Sequence, residues 1–339
     1  MTESLKHHYT SHIEKIEQLM LSELPHWQWD AVQELQELVR TQLTRTGKRL
    51  RPLLVLIFAD LFESQLERTY APAAAIEVYH TATLIYDDIQ DNSEFRRGLP
   101  CAHVTNSTSI AMNLAGTIRS FMYHILHHDC TLTAVEKLET HRRIDTAATC
   151  VSLGQSIDIG WHEGWYPGYQ DYPYEQMVKW KSAALFGCAA GLGAYIAGAP
   201  GNEVQQAENA GIELGVLFQM VDDYLDIFGD PKIMRRPLFN DFREGKLTHP
   251  VIVFLDKLSA TSNNPLSSKV LESLAERNAY QMDWQWLVQL LEEFNVREDL
   301  RRIFQLRATR LKSQIVGLGS NAQARDYLHS FVDLILANI

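Results

Sequence analysis

Two short stretches of the chain carry the same arrangement of three aspartates. Residues 87–91 read DDIQD and residues 222–226 read DDYLD, with aspartates at the first, second and fifth positions of both. On a helix the first and fifth positions lie on one face, with the second beside them. The six carboxylates are Asp87, Asp88, Asp91, Asp222, Asp223 and Asp226. Two unit charges 4 Å apart repel by roughly 4 kcal/mol at an effective dielectric constant near 20, so each cluster requires cations or full solvation.

One such cluster is equally compatible with a solvated helix end, but two copies favour a binding site. Carboxylate oxygens suit Mg²⁺, which completes its coordination shell with water and substrate phosphates. Both clusters close apolar rows, the first of which reads AAAIEVYHTATLIY at 73–86. If the two clusters face each other, they form an oxygen-lined mouth over an apolar channel. The predicted substrate is therefore a phosphate ester with an apolar tail.

Basic residues form the other concentration of charge. The stretch TGKRLRP at 46–52 is by itself compatible with a solvated helix entrance. The remaining basic candidates are Arg96, Arg97, Lys181, Arg235, Arg236 and Lys246. Arginine binds phosphate oxygens through two parallel hydrogen bonds, and lysine supplies a mobile point charge. Acids that hold metal ions, next to bases that hold phosphate, predict a diphosphate site.

These residues must be positioned by helices. Apolar residues recur at three- and four-residue spacing along almost the whole chain, whereas the alternating pattern of strands is scarce. Turn residues separate the apolar rows, for example at 165–173 (WYPGYQDYP) and 198–202 (GAPGN). There is no Gly/Ser/Pro-rich linker and no internal repeat. The sequence predicts one all-α domain over 1–339, a single large helical bundle.

Composition excludes several classes of protein. The net charge of −11 argues against nucleic acid or an anionic membrane surface as the main partner, because both attract basic proteins. The four cysteines form no CxxC pair, which indicates ordinary thiols in a reducing, cytoplasmic compartment. No stretch approaches about 20 uncharged apolar residues, so we expect no stable membrane insertion.

Between about Gly47 and Pro250 the chain resembles the trans-isoprenyl diphosphate synthases, or polyprenyl synthetases. The motifs that carry the resemblance occur in the family's order and roughly its spacing. They are GKRLRP (47–52), EVYHTATLIYDDIQD (77–91), RRG (96–98), GQSID (154–158), KS (181–182), FQMVDDYLD (218–226) and EGKLTHP (244–250). The resemblance implies an all-α bundle around a deep central cavity, a homodimer, and three Mg²⁺ ions held by the two aspartate motifs.

The resemblance also implies a role for individual residues. Isopentenyl diphosphate is expected to be bound by Lys48, Arg51, His80 and Arg97. Arg96, Lys181 and Lys246 are expected to face the allylic diphosphate, with Gln219 against it or against the adjacent cation. The implied reaction is Mg²⁺-dependent ionisation of the allylic diphosphate, condensation with isopentenyl diphosphate, and loss of a proton.

Helix geometry gives an expectation for product length. The growing chain is expected to run from Asp87 back along its helix, past residues four, five and eight positions earlier: Thr83, Ala82 and Tyr79. The first two are small, and Tyr79 lies roughly 12 Å from Asp87 at 1.5 Å per residue. With DNSEFRRGLPCAH resembling the geranylgeranyl-forming branch of the family, we expect a twenty-carbon product. Tyr79 is also compatible with an ordinary core aromatic residue.

Some positions depart from the family pattern and receive no individual role: Thr117, Arg235, Arg236 and His249. The sequence leaves two other functions open. A class I terpene cyclase shares the aspartate motif, but the stretch 240–248 (NDFREGKLT) lacks a serine or threonine at its fifth position, where the typical second cyclase motif has one. A noncatalytic regulatory subunit of a prenyl diphosphate synthase commonly loses one aspartate motif or the isopentenyl-binding bases, and this chain keeps both.

Overall fold

The structure is a computed structural model that describes residues 3–24, 32–231, 238–260, 265–275, 284–337 and 339. Its regular structure is almost entirely helical, which confirms the predicted all-α class. The α-helices of the described residues are α1 (Glu3–Ser22), α2 (Gln33–Thr44), α3 (Leu50–Asp60), α4 (Tyr70–Gln90), α5 (Ala102–Thr105), α6 (Thr108–His128), α7 (Ala134–His162), α8 (Tyr174–Val178), α9 (Ala184–Ile196), α10 (Gly201–Phe228), α11 (Asn240–Arg243), α12 (His249–Ser259), α13 (Pro265–Ala275), α14 (Trp284–Glu293), α15 (Val296–Ile315) and α16 (Ala322–Leu336). Short 3₁₀ turns lie at Leu66–Thr69 and Tyr169–Asp171, and a π-helical turn spans Lys179–Ala183.

A two-stranded hairpin follows α4. Strand β1 (Phe95–Arg96) pairs antiparallel with β2 (Leu99–Pro100), with Phe95 opposite Pro100. The two loop residues, Arg97 and Gly98, have φ of 54° and 77°. Positive φ at both central residues is the conformation that suits the twist of a two-residue hairpin. The hairpin fixes where Arg96 and Arg97 point.

The chain folds into two compact units. Unit 1 comprises Met1–Ala147, Leu185–Gly211 and Gln314–Ser330. Within it α4 packs against α6, α1 and α3. The residues from Ala71 to Tyr79 are all buried, as expected for a helix that is apolar on every side and surrounded by other helices. A Cβ on Gly193 would lie 2.4 Å from the backbone oxygen of Val55, so only glycine allows this close approach between α9 and α3.

Unit 2 comprises Ala148–Ala184, Ile212–Ser313 and Phe331–Ile339. Its buried aromatic residues include Tyr224, Phe254 and Phe304. A Cβ on Gly154 would lie 2.2 Å from the backbone nitrogen of Lys181. The glycine of the GQSID motif therefore lets α7 pass directly against the π-helical turn that carries Lys181. Such π-helical turns are frequent at functional sites.

The single domain expected over 1–339 stays a prediction. Among the helices of the described residues, none has the length and apolar character needed to cross a membrane. Arg235 and Arg236 lie outside the described residues.

Candidate active site

The first aspartate cluster lies at the C-terminal end of α4, in unit 1. Asp87 and Asp88 are in the last turn, and the backbone N–H of Asp91 donates to the Asp87 carbonyl at 2.9 Å. Asp88 is buried, and burial raises its pKa, although Arg96 opposes the shift. A helix C-terminus carries partial negative charge, so three acids in this position are unfavourable without cations. The cluster therefore needs positive charge from its surroundings.

Arg96 supplies part of that charge. Its Nη2 donates to Asp87 Oδ2 at 2.8 Å and its Nε donates to Asp88 Oδ1. Burial would lower the pKa of Arg96, but Asp87 and Asp88 together raise it above its usual value. Arg96 was expected to face the allylic diphosphate. It is found paired with the first cluster, in a position to stabilise the carboxylates before metal binds.

The residues expected to bind isopentenyl diphosphate are largely brought together in unit 1. Burial lowers the pKa of His80 well below its usual value, and Arg51, Arg97 and Arg96 lower it further. His80 is therefore a neutral imidazole beside cations. Arg97 lies over the 46–48 turn, where its Nη1 donates to the Thr46 carbonyl at 2.7 Å. Lys48 is exposed in the same turn.

Arg51 belongs to the same group of residues expected to bind isopentenyl diphosphate. Its guanidinium carbon is 4.9 Å from the centre of the Phe186 ring, in a cation–π contact. Burial and the nearby Arg97 lower the pKa of Arg51 to about 10. Glu77 opposes this shift. Arg51 Nε is buried and has no hydrogen-bond partner among the described residues. A buried guanidinium N–H without an acceptor is unfavourable, so the site favours an anionic ligand.

The second aspartate cluster lies near the end of α10, in unit 2. Asp223 is buried and accepts hydrogen bonds from Tyr174 Oη (2.6 Å), Gln219 Nε2 (2.9 Å) and the backbone N–H of His249 (3.3 Å). Burial and the neighbouring Asp241 together raise the pKa of Asp223 to about 7, and these hydrogen bonds partly oppose the shift. A cation would relieve this repulsion between neighbouring carboxylates.

The other two aspartates of this cluster differ in exposure. Asp226 is buried, and it accepts from the backbone N–H groups of Asn240 (3.2 Å) and Asp241 (3.1 Å). It thereby fixes the start of α11 against α10. Asp222 is half-buried.

Unit 2 also contains the expected lysines and the glutamine. Lys181 Nζ lies 2.5 Å from Asp158 Oδ2, an acid of the GQSID motif. Lys246 Nζ lies 2.6 Å from Glu244 Oε2. Gln219 accepts from Ser182 Oγ at 2.8 Å and donates to Asp223. Both lysines are therefore held by acids, and their contact with the allylic diphosphate stays a prediction.

The residues assigned to product length all lie on α4. Tyr79 and Ala82 are buried, and Thr83 is half-buried with its hydroxyl donating to the His80 carbonyl at 2.7 Å. Burial raises the pKa of Tyr79 to about 12, opposed by Arg119. Tyr79 is thus a buried aromatic residue on the helix that carries the first cluster. This is compatible both with a residue that stops the growing chain and with an ordinary core residue.

Two positions that depart from the family pattern have local structural partners. The Thr117 hydroxyl donates to the Asn113 carbonyl at 2.9 Å, within its own helix. The His249 ring stacks on Tyr174 with ring centres 5.4 Å apart, and burial lowers its pKa to about 4 with help from Arg307.

Sequence reasoning missed several residues that hold the candidate site in shape. Arg49 is buried and pairs with Glu77 (2.9 Å) and Glu17 (2.7 Å). Tyr174 holds Asp223, and Asp158 holds Lys181. Glu77 offered a signal, because it is an acid within an otherwise apolar row, three residues before His80. The partners of Tyr174 and Asp158 are far away in sequence and had no such signal.

The family model for polyprenyl synthetase matches residues 32–290. The chain is 37% identical over 243 residues to the geranylgeranyl diphosphate synthase of Sulfolobus acidocaldarius, covering 69% of this chain and 73% of that one. It is 36% identical over 216 residues to the geranylfarnesyl diphosphate synthase of Aeropyrum pernix, covering 62% and 67%. Its fold matches the crystal structure of geranylgeranyl pyrophosphate synthetase from Pyrococcus horikoshii with a TM-score of 0.87, 23% identity and 99% coverage of both chains.

These similarities define a trans-prenyltransferase with the all-α isoprenoid synthase fold. The chain belongs to the polyprenyl synthetase family. It is a chain-elongating enzyme of isoprenoid biosynthesis that acts on isoprenyl diphosphates. The similarities support this activity over a terpene cyclase or a noncatalytic subunit, because these relatives are named as diphosphate synthases.

Proposed function

We propose that this enzyme condenses isopentenyl diphosphate with an allylic diphosphate and releases geranylgeranyl diphosphate. The observation that carries the proposal is the cationic group around His80, where Arg51 has a buried N–H available for an anion. His80 lies seven positions before Asp87 on α4, which corresponds to about 10 Å at 1.5 Å per residue. One helix thus carries a candidate anion site and a candidate metal site at a separation suited to two diphosphates.

The cationic group around His80 is proposed to bind isopentenyl diphosphate. Arg51 and Arg97 neutralise the diphosphate, and Lys48 adds a mobile charge from the exposed turn. His80, which is neutral, donates an N–H without adding a further charge to an already cationic group. This binding holds the nucleophilic double bond in place while the rest of the reaction proceeds.

The aspartates fit Mg²⁺ because both clusters offer only oxygen donors and both carry unfavourable negative charge. Asp87, Asp88 and Asp91 would hold the ion at one cluster, and Asp222, Asp223 and Asp226 at the other. Bound Mg²⁺, three ions per active site by family resemblance, would stabilise the negative charge that develops on the departing diphosphate. Gln219 holds Asp223 in orientation, and we propose that Lys181, Lys246 and Arg96 add positive charge toward the same diphosphate.

The reaction balances without a side-chain nucleophile. The C–O bond of the allylic diphosphate breaks, and its electron pair leaves with the diphosphate. The double bond of isopentenyl diphosphate then attacks the allylic cation and forms the new C–C bond. A proton is lost to the departing diphosphate, which restores a double bond. Apolar walls must exclude water from the cation, and the buried face of α4 supplies such a wall in unit 1.

Product length rests on α4 and on the named relatives. We propose that Ala82 and Thr83 leave room for the growing chain and that Tyr79 stops it at twenty carbons. The Sulfolobus relative bears the name of a twenty-carbon synthase, and the Aeropyrum relative that of a longer one. We propose that the residues lining the path of the growing isoprenoid decide between these two product lengths.

The proposed quaternary state is a homodimer. Large apolar side chains are exposed on α6 (Ile110 and Met112) and on α7 (Val135 and Leu138, both more than 70% exposed). The proposal rests on the family resemblance, and these side chains are candidates for the contiguous apolar patch that a protein interface requires. Light scattering of the purified chain checks this state, and a monomer at micromolar concentration contradicts it.

The function is tested by product analysis. The purified chain is incubated with Mg²⁺, isopentenyl diphosphate and, separately, allylic diphosphates of five, ten and fifteen carbons, and the products are identified by mass. A linear twenty-carbon diphosphate supports the proposal. Longer linear products refute the chain-length role of Tyr79 but leave the proposed reaction intact. Cyclic hydrocarbons or unconsumed isopentenyl diphosphate refute the reaction itself.

A further inference from the structure

Three side chains with metal-binding atoms meet in unit 1, apart from the aspartate clusters. His124 and His128 are one turn apart at the end of α6, and Glu23 follows the end of α1. The ligand atoms of all three lie within 4.8 Å of one another. His124 Nε2 is 3.9 Å from Glu23 Oε2, and the two imidazole ring centres are 4.0 Å apart.

The hydrogen bonding of His128 prepares it for metal binding. Its Nδ1 lies 2.9 Å from the backbone oxygen of His124. A carbonyl oxygen can only accept, so Nδ1 carries the proton and the lone pair of the neutral ring is on Nε2. Metal-binding histidines are typically oriented in this way, with one ring nitrogen donating to a carbonyl and the other facing the ion.

Solvent exposure decides whether an ion can enter the site. His124 and Glu23 are half-buried and His128 is exposed, so an ion can reach the three ligands from solvent.

The donor set discriminates between metals. Two imidazole nitrogens and one carboxylate oxygen suit Zn²⁺, whereas Mg²⁺ prefers oxygen alone. Two histidines four residues apart on a helix are a recurrent zinc-binding pair. At Zn–N distances of about 2.0–2.1 Å, tetrahedral ligand atoms lie roughly 3.4 Å apart. The 3.9 Å separation must therefore shorten by roughly 0.5 Å, and any separation near the 4.8 Å limit by roughly 1.4 Å. Side chains with this exposure can make that movement by rotating.

We propose that Glu23, His124 and His128 bind one Zn²⁺ ion, with water as the fourth ligand. The ion joins the end of α1 to the end of α6. Because α6 packs along α4, which carries the first aspartate cluster, zinc stabilises the helices that support the proposed active site. The site is separate from the proposed active site, and its existence does not depend on the proposed reaction.

The test is a zinc titration of the untagged chain after treatment with a chelator. Excess Mg²⁺ is present throughout, so that the oxygen-only sites are occupied. We expect one zinc ion per chain, measured by calorimetry and by competition with a chromogenic zinc indicator. His124→Ala and His128→Ala are each expected to weaken binding by about tenfold or more, and Glu23→Gln to weaken it as well. Zinc should raise the melting temperature of the parent chain and leave that of His128→Ala unchanged.

His127→Ala is the matched control, because it removes an adjacent histidine of α6 that does not belong to the proposed set. Its zinc affinity should equal that of the parent. Circular dichroism and Mg²⁺-dependent turnover show that each variant is folded, and His128→Gln replaces His128→Ala if the latter is not. The proposal is overturned if zinc does not bind in excess Mg²⁺, if binding survives loss of both histidines, or if His127→Ala weakens it as much as His128→Ala.

Discussion

Removal of the Arg49 guanidinium tests how the anion site is held in shape. Arg49 Nη1 lies 2.9 Å from Glu77 Oε1, and the two side chains are only 8% and 4% exposed. Methionine keeps most of the length and apolar volume of arginine but leaves the Glu77 carboxylate buried without this partner. Breaking a buried ion pair from one side costs about 3–5 kcal/mol, and we expect Arg49→Met to lower the free energy of unfolding by that amount.

The same change should weaken substrate binding. Glu77 also interacts electrostatically with Arg51 and Arg97, the cations proposed to bind isopentenyl diphosphate. Without Arg49, the buried carboxylate competes with the substrate for these two cations. We therefore expect the KM for isopentenyl diphosphate to rise more than the KM for the allylic substrate.

A second variant separates the charge from the packing. In Arg49→Met/Glu77→Met both charges are lost, and replacing a buried pair by apolar residues of similar size is often neutral. We expect the double variant to recover most of the stability lost by Arg49→Met. With Glu77→Met as the other single variant, the set forms a double-mutant cycle that measures the coupling between the two side chains.

Urea unfolding, followed by circular dichroism and tryptophan fluorescence, measures each free energy. Arg142→Met is the control, because Arg142 is 58% exposed and its ion pair with Glu139 should contribute no more than about 1 kcal/mol. A loss of less than about 1 kcal/mol in Arg49→Met would refute the reasoning. So would a double variant that is no more stable than the single one.

Substitutions at the aspartates and at Tyr79, and a change of pH, test the site more directly. Asp87→Ala and Asp222→Ala should each abolish Mg²⁺-dependent turnover while circular dichroism shows a folded chain, and near-normal rates in either variant would remove its proposed role. Tyr79→Ala should lengthen the product beyond twenty carbons, whereas Tyr79→Phe, which keeps the ring, should not; an unchanged product distribution in Tyr79→Ala contradicts the assignment. Because the pKa of Asp223 is raised to about 7, its carboxyl is protonated below that pH and protons compete with Mg²⁺. The Mg²⁺ concentration for half-maximal rate should fall as pH rises from 6 to 8, and a flat profile contradicts this.

The sequence alone determined the helical class and the local geometry of each aspartate cluster. Both follow from short-range periodicity, because residues four apart on a helix must share a face. The grouping of Arg51, His80 and Arg97 was predicted from the family resemblance, and the packing of unit 1 brings these three residues together. No periodic pattern would have joined Arg97 to His80.

Only the tertiary structure decided which partner each charged side chain has. Arg96 pairs with Asp87 and Asp88 because a two-residue hairpin with positive φ turns the chain back on α4. Asp223 is held by Tyr174, which lies 49 residues away in the sequence. Hydrogen bonds over such separations depend on how helices pack, and packing depends on the shape of many side chains together rather than on local spacing. The sequence therefore predicted which residues carry the chemistry, and the tertiary structure decided their contacts, their burial and the direction in which their pKa values shift.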